Sequence, residues 1–542
     1  MEKRYFKENI VYQIYPRSFC DANGDGIGDL PGITSKLDYL KDLGVGIIWL
    51  SPVYKSPNQD MGYDVSDYLD INPEYGTLED MDHLINEARK RGLRIIMDLV
   101  VNHTSDEHKW FIESKKPNSP YRDYYYWREG RKNNKKPPNN WQSMFSGSAW
   151  KYDDEVGLWY LHLYGDKQVD LNFHNQKVIE EVKTILRFWL DRGIYGFRCD
   201  VINQIYKSTL KNGKQRLSQT GREHYLNQEG NHKILRELHD EVFSKYDCMT
   251  VGETYMVDYQ NARRFIDGEL DMVFQFDHVN VDRRKVPIFA RKYQPRRMKK
   301  ILFGWQNNVA WNTNYLENHD QLRSIPRFGD EKDYYLESGK MLAMMVMFLK
   351  GTSFVYQGQE IGMTNIGTHD MSLVKDISAL NVYSLLREMK FSHRTALKLV
   401  DNINRDNART PMQWNGSKNA GFTSGEPWLM LNPNYPQINV EKSQKDEASI
   451  YHFYKKIIAL KKETPALCYG EFIPLVTGGN LMAFLRTFGN DEYTVILNLS
   501  KKRIKNPLFL RGQVIVANYE GSDKYEGKVW LEPFEGALIK TR

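Results

Sequence analysis

Short apolar runs alternate with amphipathic stretches through most of this chain, and this alternation constrains its fold more than any other feature. The runs at 47–50 and 94–101 are continuously apolar, which is typical of parallel strands buried on both faces. Strands are predicted at 11–15, 47–50, 94–101, 195–199, 249–252, 272–276, 314–316 and 353–356. Helices are predicted at 33–43, 78–91 and 178–191, where apolar residues recur with helical spacing.

Eight strands that alternate with helices predict an α/β fold of the (β/α)8 TIM-barrel type. A doubly wound open sheet is the competing layout, but no strand leads into a GxGxxG turn that opens a helix. The alternation breaks between 104 and 172, and short β-type segments without helices follow from 470. We predict a barrel over 1–103 and 173–469, a small domain over 104–172 inserted after strand 3, and a C-terminal antiparallel β domain over 470–542.

The charge balance and the cysteines exclude several classes of protein. The 75 basic and 69 acidic residues leave a net charge of only +6, a mild excess, whereas nucleic-acid binding calls for a basic balance with clustered Lys and Arg. The densest basic runs, 131–136 and 291–300, are interpreted as solvated loop or helix faces. No apolar run is long enough to span a membrane, and the N-terminal residues lack a signal-peptide core. The four cysteines are far apart and form no CxxC pair. We therefore expect a cytoplasmic monomer or weak homo-oligomer, with no nucleic-acid or membrane partner and no organic cofactor.

Polar residues follow the predicted strands at the positions where a TIM barrel carries its chemistry, the carboxyl ends of the strands. They are Asp98, Asn102 and His103 after strand 3, Arg198 and Asp200 after strand 4, Glu253 after strand 5, and His319 and Asp320 after strand 7. One such carboxylate is usually a helix cap. Four carboxylates with two histidines and an arginine on one rim predict an active site instead.

The segments that carry these residues resemble the four signature segments of the α-amylase superfamily, glycoside hydrolase family 13. They are Asp98-Leu99-Val100-Val101-Asn102-His103, Gly196-Phe197-Arg198-Cys199-Asp200, Val251-Gly252-Glu253 and Glu317-Asn318-His319-Asp320, in the family's order. The resemblance implies a retaining glycosidase with Asp200 as nucleophile, Glu253 as general acid/base and Asp320 as a carboxylate that grips sugar hydroxyls. It also implies that Arg198 stabilises the Asp200 charge and that His103 and His319 donate to the substrate.

Two further segments resemble the part of the family site that binds the terminal sugar. In Gln59-Asp60-Met61-Gly62-Tyr63-Asp64, the resemblance makes Asp60 the anchor of a terminal glucose and Tyr63 the ring that stacks on it. Arg405 resembles the arginine that pairs with that aspartate. Such a pair would close the pocket behind the non-reducing end, so we expect an exo-acting glucosidase with a small oligosaccharide substrate.

The segment 21–29 carries oxygen-bearing side chains at alternate positions and glycines for tight turns, like the first part of an EF-hand loop. In the family this segment holds a structural Ca²⁺ or Mg²⁺. The implied ligands are the side chains of Asp21, Asn23, Asp25 and Asp29 and the carbonyl of Ile27. A metal-free Asx/Gly turn is the alternative.

Val201, directly after the predicted nucleophile, goes with α-1,6 cleavage in relatives of this type, whereas a smaller residue goes with α-1,4 cleavage. The expected function is therefore that of an oligo-1,6-glucosidase. Trehalose-6-phosphate hydrolases are an alternative, with Arg283, Arg284 and Lys285 as candidate phosphate ligands, and α-1,4-glucosidases and sucrose isomerases are further ones. A non-catalytic sugar-binding relative is disfavoured, because Asp200, Glu253 and Asp320 are all present.

Overall fold

The computed structural model describes residues 4–284, 286–521 and 525–542. Within them, parallel strands curl into a nearly closed barrel. Its strands are β1 (Val11–Ile14), β2 (Ile47–Leu50), β3 (Arg94–Leu99), β4 (Gly196–Cys199), β5 (Met249–Glu253), β6 (Met272–Phe274), β7 (Thr313–Asn314) and β8 (Thr352–Tyr356). Pairing runs from β6 in order to β1 and then to β8 and β7. The Thr313 hydroxyl donates to the Val273 carbonyl at 3.0 Å across the remaining seam. The predicted (β/α)8 barrel is confirmed.

Helices surround the barrel and connect its strands. The α-helices are Tyr5–Glu8, Leu30–Ser35, Leu37–Leu43, Leu78–Lys90, Lys109–Ser114, Gln176–Asp191, Glu229–Glu241, Tyr259–Phe265, Pro295–Asn308, Ser324–Phe328, Tyr335–Phe348, Ile377–Glu388, His393–Asp401, Asp406–Arg409, Val440–Lys445, Ile450–Glu463 and Pro465–Cys468. The prediction of one helix over 33–43 is wrong. The first helix begins earlier, at Leu30, because Asp29 caps it by accepting from Gly32 N. Lys36, with φ −107° and ψ 6°, then divides the segment into two helices.

Besides two-stranded pairs such as His103–Ser105 with Gln168–Asp170, the described residues form two larger sheets, one after the third and one after the last barrel strand. Between β3 and β4, the strands Trp127–Arg128, Leu158–Leu161 and Trp150–Asp153 form a small antiparallel sheet. After β8, five antiparallel strands form the predicted C-terminal sheet: Glu471–Pro474, Leu481–Phe488, Asp491–Asn498, Gly536–Lys540 and Gln513–Ala517. The domain boundaries at 103/104, 172/173 and 469/470 stay predictions.

The barrel interior is filled by large apolar side chains, so the site must lie above it. Trp49, Ile96, Val251 and Phe274 are buried in one cluster that carries the barrel strands. The register of β3 and β4 places Asp98 beside Arg198, with both side chains at the carboxyl end of the sheet. The strand pairing thus determines which polar groups meet on the rim.

Candidate active site

Arg198 is the centre of the site, because its buried guanidinium contacts three carboxylates from three neighbouring strands. It donates to Asp98 and to Asp200 through Nη1, the latter at 2.6 Å, and to Glu253 through Nη2. Its side chain is only 3% exposed. The carboxyls of Asp200 and Glu253 therefore lie on two adjacent nitrogens of one planar group, which fixes their relative position.

The ionisation of these carboxylates depends on the same arginine. Burial raises the pKa of Asp200, and the Arg198 guanidinium opposes that rise. Burial likewise raises the pKa of Asp98 to about 6, against the opposing effect of Arg198 and of the Trp49 indole, which donates to Asp98 at 2.9 Å. Arg198 thus supplies the charge that favours carboxylates in a site with little water.

Asp320 lies across the cavity between two other arginines. It accepts from Arg409 at 2.7 Å and from Arg405 at 3.3 Å. Burial opposes its ionisation, but His319, whose Nε2 lies 3.3 Å away, and these two guanidinium groups hold the pKa of Asp320 well below its usual range. Asp320 is therefore a permanent anion at the rim of the pocket.

Two neutral histidines, His319 and His103, complete the polar lining. Burial lowers the pKa of His319 to about 3 and that of His103 to about 4. The amide Nε2 of Gln13 donates to His319 Nδ1 at 2.8 Å, so the proton of the neutral His319 ring is on its own Nε2. That His319 Nε2 lies 2.7 Å from the Tyr63 hydroxyl. The Tyr63 ring also stacks on His319, with centroids 5.2 Å apart and an interplanar angle of 3°. Tyr63 therefore has a fixed ring orientation in the same cavity as the carboxylates.

His103 is held by a buried ion pair that the sequence did not indicate. Asn102 Nδ2 contacts His103 Nδ1 at 3.1 Å, while Asn102 Oδ1 accepts from Lys207 Nζ at 2.9 Å. Lys207 Nζ also lies 2.5 Å from Asp170 Oδ1, and both side chains are 0% exposed. This pair joins the segment before β4 to the loop after it.

Replacing Lys207 by methionine should destabilise the fold by about 3–5 kcal/mol, because it leaves the buried Asp170 carboxylate with hydrogen bonds from Asn102 and Leu163 N but without a cationic partner. The measurement is the urea unfolding midpoint of K207M against wild type, with exposed Lys211→Met as the matched control. A K207M/D170L double variant should recover much of the loss, since it removes both charges. A K207M midpoint equal to that of K211M would contradict this prediction.

Arg405 closes the end of the pocket away from Glu253. Its Nη2 lies 3.2 Å from Asp60 Oδ1 and its Nη1 donates to Asp320. Its shortest contact, 2.7 Å, is with the fully buried Asp376, a partner that sequence reasoning missed. Asp376 follows no strand directly, so its position near the rim carries no signal in the sequence. Arg409 was missed as a ligand of Asp320 for the same reason.

These groups line one cavity of about 490 Å³. Asp60, Tyr63, His103, Asp200, Val201, Glu253, Asp320 and Arg405 all border it, so the structure brings together most of the residues predicted to act on substrate. Arg198 and His319 lie beneath them as their partners. Aromatic walls are added by Phe145, Tyr164 and Phe276, which sequence reasoning did not single out. Apolar walls around convergent polar groups suit a sugar ring.

Val201 has a strained backbone next to Asp200. Its φ of 37° and ψ of 37° place a β-branched residue in the left-handed region, which costs on the order of 1–3 kcal/mol. This conformation directs its N–H to Glu253 Oε2 at 3.3 Å. The strained residue therefore connects the backbone after Asp200 to the Glu253 carboxylate.

Four arginines, Arg283, Arg284, Arg291 and Arg297, line the outer part of the cavity. Arg283 is tied back by a hydrogen bond to the Asn402 carbonyl. Lys285, the third predicted phosphate ligand, lies outside the described residues. The outer cavity is thus positively charged, whereas the inner cavity holds the carboxylates.

The predicted metal loop is folded by hydrogen bonds from its own backbone N–H groups to its side-chain oxygens. Asp21 accepts from the backbone of Gly24 at 2.7 Å and of Gly26 at 2.8 Å, and Asn23 accepts from Asp25 N at 2.8 Å. Asp29 Oδ1 accepts from Gly32 N at 2.6 Å. Oxygen donors of this kind suit a hard cation such as Ca²⁺, but among the described residues the carboxylates of Asp21, Asp25 and Asp29 do not converge on one point.

Among the residues that the structure describes, every helix is too short or too polar to cross a lipid bilayer.

Known proteins resemble the chain over its whole length. Residues 13–470 match the family model described as the α-amylase catalytic domain. An oligo-1,6-glucosidase of Parageobacillus thermoglucosidasius is 46% identical over 562 residues, covering 100% of both chains. A trehalose-6-phosphate hydrolase of Bacillus subtilis (strain 168) is 42% identical over 99% of this chain and 98% of its own. The structure of an isomaltulose synthase from Klebsiella sp. LX3 superposes with a TM-score of 0.96, at 38% identity and 100% coverage of both chains.

Proposed function

The chain belongs to the α-amylase family of glycoside hydrolases, and from this premise we propose that it removes terminal α-1,6-linked glucose from isomaltose and short isomalto-oligosaccharides. The observation that carries the proposal is the closed inner pocket. There Arg405 joins Asp60 to Asp320 opposite the Arg198-linked pair Asp200 and Glu253. A pocket closed at one end accepts one terminal sugar, which is exo-action. Full-length relatives named oligo-1,6-glucosidase support the linkage.

The arrangement supports a double displacement with retention. Asp200 attacks the anomeric carbon from one side while Glu253 protonates the glycosidic oxygen, so the aglycone leaves and a glucosyl ester of Asp200 forms. Glu253 then takes a proton from water, which attacks the same carbon and releases glucose with its original anomeric configuration. Arg198 holds both carboxyls and disperses the negative charge of Asp200 before and after the attack.

The other predicted residues would bind the glucose ring. Asp60 and Asp320 are acceptors for its hydroxyls, and the neutral imidazole of His103 borders the same cavity. His319 lies beneath the cavity and would act through its contacts with Tyr63 and Asp320. The Tyr63 ring offers an apolar face to one side of the sugar. Hydrogen bonds that tighten as the ring distorts would stabilise the transition state.

The test is glucose release by the purified protein from isomaltose, maltose, sucrose and trehalose 6-phosphate at equal concentrations. Dominant isomaltose cleavage, with α-glucose appearing first in the NMR spectrum, supports the proposal. Dominant maltose cleavage rejects the linkage but keeps the mechanism. Conversion of sucrose into an isomeric disaccharide instead of glucose and fructose rejects hydrolysis as the main reaction.

Trehalose 6-phosphate hydrolysis is the second candidate, and the charge of the outer cavity favours it. Within the described part of the chain, no carboxylate pairs with the side chains of Arg284, Arg291 or Arg297. Guanidinium groups of this kind are suited to a phosphate on the leaving sugar. Cleavage of trehalose 6-phosphate alone among the four substrates would select this function.

Val201 should affect the preferred linkage. Replacing it by threonine or alanine changes the wall beside Asp200 by a methyl group or two, a difference worth about 1–3 kcal/mol between competing substrates. The ratio of kcat/KM for isomaltose to that for maltose should therefore fall by about tenfold or more in V201A or V201T. An unchanged ratio would show that other cavity residues set the linkage.

We also propose that the loop 21–29 holds a structural Ca²⁺ or Mg²⁺, with Asp21, Asn23, Asp25, Asp29 and the Ile27 carbonyl as ligands. A bound cation would offset the charge of three aspartates in one turn. Adding Ca²⁺ to chelator-treated protein should raise the melting temperature, since a ligand at about 100 times its Kd contributes about 2.7 kcal/mol. D25A should lose this response and keep kcat. An identical melting temperature with EDTA and with Ca²⁺ would reject the site.

A cytoplasmic location and a monomer or weak homo-oligomer complete the proposal. All four cysteines are free and buried, as in proteins of a reducing compartment. Size-exclusion chromatography with light scattering tests the assembly, and a stable large oligomer would reject it.

A further inference from the structure

Arg405 is held mainly by a residue that does not border the cavity. Its Nε and Nη2 donate to Asp376 Oδ1 at 2.9 and 2.7 Å, and its backbone N–H donates to Asp376 Oδ2 at 3.0 Å. The contacts with Asp60 and Asp320 are longer, at 3.2 and 3.3 Å. Since Asp376 is fully buried and absent from the cavity wall, it does not reach a sugar.

Asp376 is itself fixed at the base of a helical hairpin, residues 377–401. Its Oδ1 caps the first helix by accepting from Ser378 N at 3.0 Å. Its own N–H and that of Lys375 donate to Asp406 Oδ2 at 3.3 and 2.7 Å. One carboxylate therefore anchors both the hairpin and the arginine that closes the pocket.

We propose that Asp376 is a positioning residue that sets the orientation of Arg405 toward Asp60 and Asp320. With the Nε edge of the guanidinium held by Asp376, its two Nη groups face the cavity carboxylates. Without that partner, the arginine is free to turn toward either carboxylate alone. A displacement of about 1 Å in such a group lowers activity by up to ~100-fold. This inference rests on the proposed glucosidase function for the role of the pocket.

The test separates this role from simple capping of the hairpin. Serine is a good N-cap, so D376S keeps an acceptor for Ser378 N and loses the charged partner of Arg405. We expect D376S to raise the Kd for glucose, measured by calorimetry, about tenfold and to lower kcat/KM by ~10–100-fold. In an R405A background, the same substitution should change both quantities by less than about threefold, since no arginine remains to be oriented.

Equal fold losses in the two backgrounds, or wild-type glucose binding in D376S, would overturn the proposal. Asp401→Asn is the matched control, because Asp401 anchors the other end of the hairpin to Thr368 N at 2.7 Å without contacting Arg405. If D376S does not fold, D376N, which has the volume of aspartate, takes its place in the same cycle. If the wild type cleaves none of the four glucosides, the proposed function fails, whereas the glucose-binding cycle still decides the role of Asp376.

Discussion

Replacing Asp200 by alanine should lower kcat for the natural glucoside by about 10⁴-fold or more, the loss typical of removing a catalytic nucleophile. The reason is geometric, because Asp200 is the carboxylate that Arg198 holds at 2.6 Å on the cavity wall. Without it, no glucosyl ester forms and the double displacement stops at its first step. The measurement is steady-state hydrolysis of isomaltose, with surface Asp82→Ala as the matched control.

Azide makes this prediction specific to the nucleophile. D200A opens the face of the sugar that the carboxylate occupied, and azide is small enough to enter there. With an activated aryl α-glucoside, the expected product is β-glucosyl azide, since a single displacement inverts the anomeric carbon. Retention of more than a few per cent of wild-type isomaltose activity, or formation of α-glucosyl azide, would assign the nucleophile elsewhere.

The barrel could be predicted from sequence because parallel buried strands have a simple pattern. Each strand is a short apolar run between helices, and the observed β2 lies at the predicted residues 47–50. The positions of the rim residues could be predicted in the same way, since Asp98, Arg198 and Glu253 lie at the carboxyl ends of neighbouring strands. Order along the chain was therefore enough to predict their proximity.

Other parts of the site depend on where long connections return, which no local pattern encodes. Asp376 and Arg409 reach Arg405 and Asp320 from segments after the last barrel strand. The Lys207–Asp170 pair likewise joins the short strand Gln168–Asp170 to the connection after β4. In such cases sequence gives the residue types, whereas packing of the connections decides which charges meet.

The positive backbone φ of Val201 is a third feature that sequence did not reveal. Valine disfavours the left-handed region, so propensity predicts an extended or helical residue there. The surrounding structure overrides that preference and directs Val201 N–H toward Glu253. Backbone propensity therefore gives the wrong conformation for Val201, because contacts within the cavity wall determine its φ and ψ.

Replacing Glu253 by alanine should affect substrates according to their leaving groups. A sugar alkoxide cannot leave without a proton, so kcat/KM for isomaltose should fall by ~10²–10⁴-fold, the usual contribution of a general acid. The dinitrophenolate of a 2,4-dinitrophenyl α-glucoside leaves without that proton, so this substrate should glucosylate Asp200 at a rate much closer to wild type. The measurement is a comparison of the two substrates in E253A, with exposed Glu229→Ala as the matched control.

The second step of the reaction gives E253A an independent signature. Because no base activates water, the glucosyl ester on Asp200 should accumulate, and the activated substrate should show a burst of dinitrophenolate equal to the enzyme concentration. Azide needs no base, so it should restore turnover and form α-glucosyl azide, the product of two inversions. Equal losses on both substrates, without a burst and without azide rescue, would mean that Glu253 only holds Arg198 in place. If azide instead rescues both variants, β-glucosyl azide from D200A and α-glucosyl azide from E253A distinguish the nucleophile from the acid/base, although one guanidinium holds both carboxylates.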